Sequence, residues 1–422
     1  MARVKEPDTA ARVPAGRDLS IDFVRAICLP IVVVLHALQM GIGGDPLETF
    51  NALDGYPPLA TVTWGGMIMP MFFIAGGFAG LITWRRIRER QGSASDYIRT
   101  RTLRLLRPTL LAVAATGALL AVFAVFGADD GFLGGFAHRL AEPLWFIVVY
   151  LALTAAVPAM AWLYERHRWS TFAGLAAGAV VVDVVVRLTG WPIGYLNWAF
   201  IWLFVQSLGF LVLDGWLAKR PLWWHVLVIA CSYAGIGALV VFAGYSGDML
   251  GNLNPPTLVI LLLGFAQASI LTLLQPAFRR LMQIQGVLVG IGALGIYGFV
   301  IYLWHTFAMG LVAGVQQAVG LPFPEPLSSG WWITRPFWIL AVAAVVVLCC
   351  VVVPKLEGIL WREPEGSVSI WLAWIMTVVG SIGVGVVLLF GYVPFWQTAA
   401  GLALMTMACV ALELNFRSRK VE

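Results

Sequence analysis

Three ionisable side chains lie inside the first long apolar stretch of this sequence: Asp22, Arg25 and His36. A charged group near the centre of a bilayer costs about 2.5–3.5 kcal/mol on insertion scales, so such residues are candidates for function. Arg25 and His36 are eleven positions apart, about three helical turns, so they share one helix face about 16 Å apart along the axis. Asp22 precedes Arg25 by three positions and can pair with it on that face. The spacing predicts a helix that presents a cation and an imidazole to one interior groove at two membrane depths.

These residue types suit binding of an anionic group and transfer of a proton. A guanidinium holds phosphate or carboxylate through forked donors, and an imidazole can act as a general base. Both residues also have a structural interpretation. Arg25 can extend its guanidinium to the inner membrane surface, and His36 can be a packed histidine that is hydrogen-bonded to a neighbouring helix.

A second group of candidates lies further along the chain. Arg104 and Arg107 stand at the start of the third apolar stretch, where the positive-inside bias alone explains cations and a clamp for phosphates is the alternative. Tyr302 and His305 are three positions apart and face alike on a helix. Trp145 opens the fourth stretch. These last three residues are candidate site residues, with interface aromatics or polar packing as the alternative.

The composition is that of a multi-span membrane protein, because 60% of the 422 residues are apolar and only 12% are charged. We therefore predict an all-α integral membrane protein with about 12 transmembrane helices, with membrane lipid as a partner and no nucleic acid. Protein partners cannot be identified from the sequence. The five cysteines show no metal-ligand or redox spacing, so we expect no metal. Stretches able to cross about 30 Å of hydrocarbon lie at 20–40, 62–84, 107–126, 144–163, 171–187, 196–214, 222–243, 256–275, 291–315, 332–354, 369–391 and 395–414.

The distribution of cations predicts the orientation in the membrane. With the N-terminus in the cytoplasm, 23 of the 27 lysines and arginines fall on the inner side, as the positive-inside rule requires. Arg139, Arg187 and Arg335 fall outside, and Arg25 lies within the first span. An even number of spans returns the C-terminus to the cytoplasm.

The chain divides at a polar segment near residue 360. We predict a cytoplasmic N-terminal tail at 1–18, a ten-span core at 19–355, a cytoplasmic connector at 356–368, an additional helix pair at 369–414 and a cytoplasmic tail at 415–422. The additional pair carries almost no intramembrane charge, so we expect it to have a packing or partner role.

The sequence resembles the membrane-bound acyltransferase family 3 over about residues 17–355. Members of that family carry Asp-x-x-Arg, then ten residues and a histidine, in their first span. The motifs that carry the resemblance are Asp22-Phe-Val-Arg25, Arg25-x10-His36, Met71-Phe-Phe-Ile-Ala-Gly-Gly77, Arg104-Leu-Leu-Arg107-Pro, Leu144-Trp-Phe146, Trp202 to Gly215, Asn254-Pro-Pro-Thr257 and Ile301-Tyr-Leu-Trp-His305. Their order along one chain is more specific than any single motif.

The resemblance implies an acyl-CoA-dependent O-acyltransferase with a core of about ten spans. Cytoplasmic acyl-CoA, with acetyl-CoA as the expected donor, would place its phosphates on Arg25, Arg104 and Arg107. His36 would be the catalytic base on an acceptor hydroxyl, with Arg25 and Asp22 as the other catalytic residues, and an acyl-histidine intermediate is an open alternative. The acceptor would be a sugar or a lipid-linked hydroxyl of the cell envelope. Arginines outnumber lysines 23 to 4, which is typical of GC-rich bacterial genomes, so we expect a multi-pass protein of the bacterial plasma membrane.

Two other classes of protein fit part of the pattern. A 12-span transporter or flippase for an envelope precursor would also use intramembrane arginine and histidine, but the two halves of the chain show no obvious repetition. An acyltransferase relic that serves as a structural partner would not need the intact pair of Arg25 and His36.

Several polar or small residues inside the spans have simpler expected roles. Asp183 and Arg187 are spaced to neutralise each other, and Gln206 and Gln267 are expected to hydrogen-bond between helices. The segment Gly290–Gly295 matches a dinucleotide-binding pattern formally but has no preceding strand. We expect its glycines to serve close helix packing instead.

Overall fold

A computed structural model describes residues 18–54, 56–361 and 366–414 of this chain. The helices are α1 Leu19–Gln39, α2 Pro57–Gly66, α3 Met69–Glu89, α4 Ala94–Val125, α5 Asp130–Ala141, α6 Leu144–Thr189, α7 Asn197–Leu213, α8 Leu222–Ala243, α9 Leu258–Leu281, α10 Gln285–Ala318, α11 Ser329–Leu360, α12 Ile370–Phe390 and α13 Phe395–Glu413. The strands β1 Met40–Gly43 and β2 Glu48–Asn51 pair antiparallel. Apart from Asp18, the two predicted tails lie outside the described residues.

Eleven helical segments of the described chain are long and apolar enough to cross a membrane. The prediction of an all-α membrane protein is therefore confirmed, while the number of spans and the orientation of the termini remain predictions. The predicted spans 144–163 and 171–187 both lie within α6, whose backbone is non-helical at His167 (φ −138°, ψ 47°). The break at His167 falls between the two predicted stretches, although no glycine or proline lies there to signal it.

The second and third predicted spans also differ from the observed helices. Residues 62–84 were predicted as one span, but α2 ends at Gly66 and α3 begins at Met69 with Pro70 in its first turn, since proline suits a helix start. The third helix begins at Ala94, well before residue 107. The Ser93 side chain and Asp96 form a capping box that starts α4 there, so Arg104 lies on the helix, within its third turn.

The first helix is fixed at both of its ends. At its start the carboxylate of Asp18 accepts from the Ser20 backbone N–H at 2.9 Å and from Arg279 of α9 at 2.7 Å. Burial alone would raise the pKa of Asp18, but the hydrogen bonds from Arg279 and Ser20 outweigh it and hold that pKa below its usual value. Along its length α1 packs mainly on α10, and also on α3 and α9. This packing carries the far end of α1 to the middle of α10.

The crossing of α3 and α7 is unusually close because both helices have glycine at the contact. A Cβ atom on Gly77 would lie 2.0 Å from the Gln206 carbonyl oxygen, and one on Gly209 would lie 2.0 Å from the Ile74 carbonyl oxygen. Only glycine fits such a contact. The Phe73 and Trp202 rings pack nearby with centroids 4.4 Å apart, so α3 is held firmly against the core.

The predicted additional pair, α12 and α13, packs on α4 and α6 of the core. Arg107 of α4 forms an ion pair with Glu413 at 2.8 Å, and Arg99 donates to the Leu412 carbonyl at 2.6 Å. The connector predicted at 356–368 begins as helix, because α11 continues to Leu360. Residues 362–365 of that connector lie outside the described residues. The division of the chain into these segments remains a prediction.

Candidate active site

The structure brings two of the candidate histidines together. His36 Nδ1 of α1 and His305 Nε2 of α10 are 2.8 Å apart, and the two rings are nearly parallel, at 15° with centroids 5.0 Å apart. His305 is completely buried. Its other nitrogen, Nδ1, is hydrogen-bonded to the backbone carbonyl of Tyr302 one turn earlier.

The partners of these rings assign the hydrogen positions of the neutral pair. A carbonyl oxygen only accepts, so His305 Nδ1 carries the proton and His305 Nε2 presents a lone pair. His36 Nδ1 must then donate to His305 Nε2. The remaining nitrogen, His36 Nε2, is left unprotonated. A general base requires a fixed tautomer with a free lone pair, and this geometry can provide both at His36.

Tyr302 connects the histidine pair to the start of α6. Its hydroxyl donates to the Pro143 carbonyl at 2.6 Å, and its ring packs edge-on against Phe146 with centroids 4.9 Å apart. Trp145 lies beside them and stacks on Trp202 at 6.2 Å. Trp145 and Tyr302 line the cavity described next. His305 does not line it but is hydrogen-bonded to His36, which does.

A cavity of about 810 Å³ lies where α1 ends, within the usual range for ligand sites. Along α1 it extends from Pro30 to Met40, which is about 15 Å of helix. The walls are mostly apolar and come from α1, α2, α3, α5, α6, α10 and the end of α12, with the segments near residues 195 and 254. The polar residues of the lining include His36, Gln39, Thr63, His138, Arg139, Glu142 and Tyr302.

The end of α5 contributes residues that the sequence did not single out for function. His138, Arg139 and Glu142 all line the cavity, and Arg139 pairs with Glu142 at 2.5 Å. Arg139 is also close enough to His36 for their charges to interact. A signal was available in the sequence, because Arg139 is one of the few cations that break the predicted positive-inside pattern.

A second exception to that pattern, Arg335, holds the end of α1. Its guanidinium donates to the carbonyls of Ala37 and Met40, immediately after His36. The same group lies between Trp331 and Trp338, at 4.8 and 4.3 Å from the ring centroids. The last carbonyls of a helix have no intrahelical partner, so Arg335 fixes the turn that carries the candidate base.

The remaining candidates lie at the opposite end of α1. Arg104 is exposed and close to Arg101 and Arg25, and the buried Nε of Arg25 has no hydrogen-bond partner among the described residues. Asp22, one turn before Arg25, does have an interaction partner. Arg107 differs from Arg104, because it pairs with Glu413 and lies over the Trp361 ring at 5.4 Å.

The fold and the site together define a class: a multi-pass helical membrane protein with an imidazole pair beside an internal cavity. Residues 18–353 match the model of the acyltransferase 3 family, described as an acyltransferase domain. This match covers most of the chain, so the protein belongs to that family and the resemblance found in the sequence is confirmed. No curated protein and no solved structure matches the chain. The helices α12 and α13 lie beyond the matched residues.

Membership of this family supports an acyltransferase. Within the described residues no group of three or more His, Cys, Asp or Glu side chains could hold a metal ion.

Proposed function

We propose that this protein is a membrane O-acyltransferase of the bacterial plasma membrane. It moves an acyl group, acetyl in the simplest case, from cytoplasmic acyl-CoA to a hydroxyl of a cell-envelope glycan or glycolipid. The observation that supports this function is the hydrogen-bond chain from the Tyr302 carbonyl through His305 to His36, which ends on the cavity.

The reaction needs one proton acceptor beside the acceptor hydroxyl. His36 Nε2 takes the hydroxyl proton while the oxygen attacks the carbonyl carbon of the thioester. The new C–O bond forms, the C–S bond breaks, and the imidazolium returns the proton to the departing thiolate. The products are the ester and the free thiol of CoA. The alternative route, in which His36 Nε2 itself attacks the thioester and forms an acyl-histidine, uses the same nitrogen.

The donor would enter from the end of α1 that carries Arg25. Arg25 and Arg101 are both close enough to Arg104 for their charges to interact with it, and forked guanidinium donors suit the phosphates of CoA. The cavity reaches down α1 as far as Pro30, only about 8 Å of helix from Arg25. An extended pantetheine arm could therefore carry the thioester from the cationic cluster towards His36.

Transfer assays with purified protein test this function. Protein in lipid discs is incubated with radiolabelled acetyl-CoA and a cell-envelope extract, and the label is followed into acceptor molecules. We expect labelled ester with the wild-type protein and none with His36→Ala. Translocation of an envelope precursor without any acyl transfer would instead support the transporter alternative.

A further inference from the structure

The cavity beside His36 has a polar wall on one side and an apolar edge on another. Its inner wall carries the polar groups of His36, Arg139 and Glu142. Its edge is formed by side chains that face out of the bundle, among them Val34 of α1, which is 41% exposed, and Leu389 of α12, which is 70% exposed. In a membrane protein such outward-facing apolar residues meet lipid, so α1 and the end of α12 give the cavity an edge that borders lipid.

The helix pair beyond the family match supplies part of that edge. Leu388 and Leu389 end α12 and line the cavity. The turn that follows is held in place, because a Cβ atom on Gly391 would lie 3.3 Å from the backbone of His138 and because Tyr392 is almost fully buried. The same turn thus packs on the end of α5, and the end of α5 supplies His138 and Arg139 to the cavity wall. The apolar edge on α12 is therefore fixed in position relative to the polar wall.

We propose that the acceptor is an amphiphile whose hydroxyl-bearing head lies at His36 and whose apolar chain leaves the cavity between α1 and α12 into the bilayer. This inference rests on the proposed function and names the class of its acceptor. The helices α12 and α13 then act as a specificity element for the acceptor.

The physical reason is the mismatch between this edge and a water-soluble sugar. Hydroxyl groups placed against Val34 and Leu389 would lose water and gain no hydrogen bond in return, which is unfavourable. An acyl or isoprenoid chain at the same place would exchange one apolar environment for another. The polar head would still meet the polar wall around His36.

A fractionated acceptor assay tests the inference. Envelope extract is separated into lipid-soluble and water-soluble fractions, and each is supplied with radiolabelled acetyl-CoA to the full-length protein in lipid discs. We expect His36-dependent labelling at least about tenfold greater with the lipid-soluble fraction, a difference well above assay scatter. Equal or greater labelling of the water-soluble fraction would overturn the inference and leave the proposed function standing. No His36-dependent transfer to either fraction would contradict the proposed function itself.

Matched variants locate the chain of the acceptor. Leu389→Trp should slow transfer to the lipid-soluble fraction by about tenfold, while acyl-CoA binding stays unchanged. Ile382→Trp is the control, because Ile382 lies two turns earlier on α12, is 52% exposed and does not line the cavity. Val34→Trp on the facing helix repeats the test if Leu389→Trp does not fold. Wild-type transfer by both cavity-edge variants, or an equal loss with Ile382→Trp, would refute the inference.

The donor's own acyl chain is the other apolar group that could occupy this edge. Acetyl-CoA and palmitoyl-CoA are therefore compared as donors with the lipid-soluble fraction. We expect Leu389→Trp to lower the rate of transfer equally with acetyl-CoA and with palmitoyl-CoA. A loss confined to palmitoyl-CoA would assign the edge to the donor and overturn the inference.

Discussion

His36 Nδ1 and His305 Nε2 are 2.8 Å apart although the two residues are separated by 269 positions in the chain. Each residue alone has an ordinary packing interpretation. Together with the Tyr302 carbonyl they form a directional chain of donors and acceptors that ends on a free imidazole nitrogen. The arrangement corresponds chemically to a base and its orienting partner, with an imidazole in the place where many hydrolases use a carboxylate.

Removal of the base should abolish transfer without loss of donor binding. For His36→Ala we expect turnover to fall by about 10²–10⁴-fold, as for other general bases, while acyl-CoA affinity and membrane insertion stay near wild type. His36→Gln keeps hydrogen-bonding capacity but cannot take the proton, so it should be equally inactive. Single-turnover assays and calorimetric titration with acyl-CoA measure the two quantities. Retention of more than about a tenth of wild-type turnover by His36→Gln would rule out base catalysis at this position.

His305 should act as a positioning residue. In His305→Ala the Nδ1–H of His36 loses its acceptor, so the base is free to adopt the wrong tautomer, and we expect kcat to fall by about 10²-fold or more with KM for acyl-CoA unchanged. His305→Asn supplies an acceptor oxygen and should recover part of the rate. The pH profile of kcat/KM should also change position, which a packing defect alone would not produce. Wild-type kcat in His305→Ala would contradict this role.

Arg335 should support the same base from the other side. Arg335→Gln removes the charged donor from the Ala37 and Met40 carbonyls, a loss of about 1.5–3 kcal/mol for bonds of this kind. We expect a lower melting temperature and a reduced kcat, because the last turn of α1 carries His36. Arg187→Gln is the matched control, since Arg187 also bonds a backbone carbonyl, that of Ala243, and lies over an aromatic ring. Equal effects of the two substitutions on kcat would show that Arg335 contributes only general stability.

The two arginines of the Arg-x-x-Arg motif should differ in donor binding. Arg104 has no ion pair among the described residues, whereas Arg107 is engaged by Glu413 and Trp361. We therefore expect Arg104→Ala to weaken acyl-CoA binding by about tenfold or more, as for loss of a charged contact. Arg107→Ala should mainly lower the melting temperature. Binding of dephospho-CoA thioesters serves as the comparison, and unchanged donor affinity in Arg104→Ala would return this residue to a positive-inside role.

The orientation in the membrane can be tested with single cysteines in a Cys231→Ser background, since Cys231 is exposed. An impermeant maleimide added to intact cells should label Asp54→Cys and should label Arg90→Cys only after the membrane is permeabilised. Both positions are exposed in the structure. Asn252 is unsuitable for this purpose because it is 1% exposed. The reverse labelling pattern would invert the predicted topology.

Local patterns predicted the parts of the structure that depend on neighbours in sequence. The membrane class and the family are confirmed, and Gln206 of α7 hydrogen-bonds to the Leu153 carbonyl of α6 as expected. Gln267 instead donates to the carbonyl of Met67, which lies in the link between α2 and α3. The contact of His36 with His305 could not be predicted, because nothing local specifies which faces of α1 and α10 meet. Arg139 and Arg335 are predictable from the sequence as functional candidates, since a cation on the side of the membrane that disfavours it requires a specific environment.

Two of the smaller expectations relied on neighbours in sequence. Asp183 and Arg187 are close enough for their charges to interact, but the direct partners of the Asp183 carboxylate are Asn197, Tyr245 and the Leu258 backbone N–H. The glycines of Gly290–Gly295 do not serve close packing, because Cβ atoms there would have no neighbour within 4 Å. Both expectations used only spacing along the chain. The contacts that form depend instead on which other segments lie beside Asp183 and beside the glycines in the fold.

The contacts between α4 and the end of α13 set a late step in biosynthesis. Glu413 follows Arg107 by 306 positions, and at about 5–20 residues per second a ribosome needs about 15–60 s to synthesise that length of chain. The bonds of Arg99 and Arg107 to Leu412 and Glu413 can form only after residue 413 has been synthesised. These contacts of α4 therefore form long after α4 itself has been synthesised, and a stop codon or a proteolytic cut shortly before Leu412 would remove them.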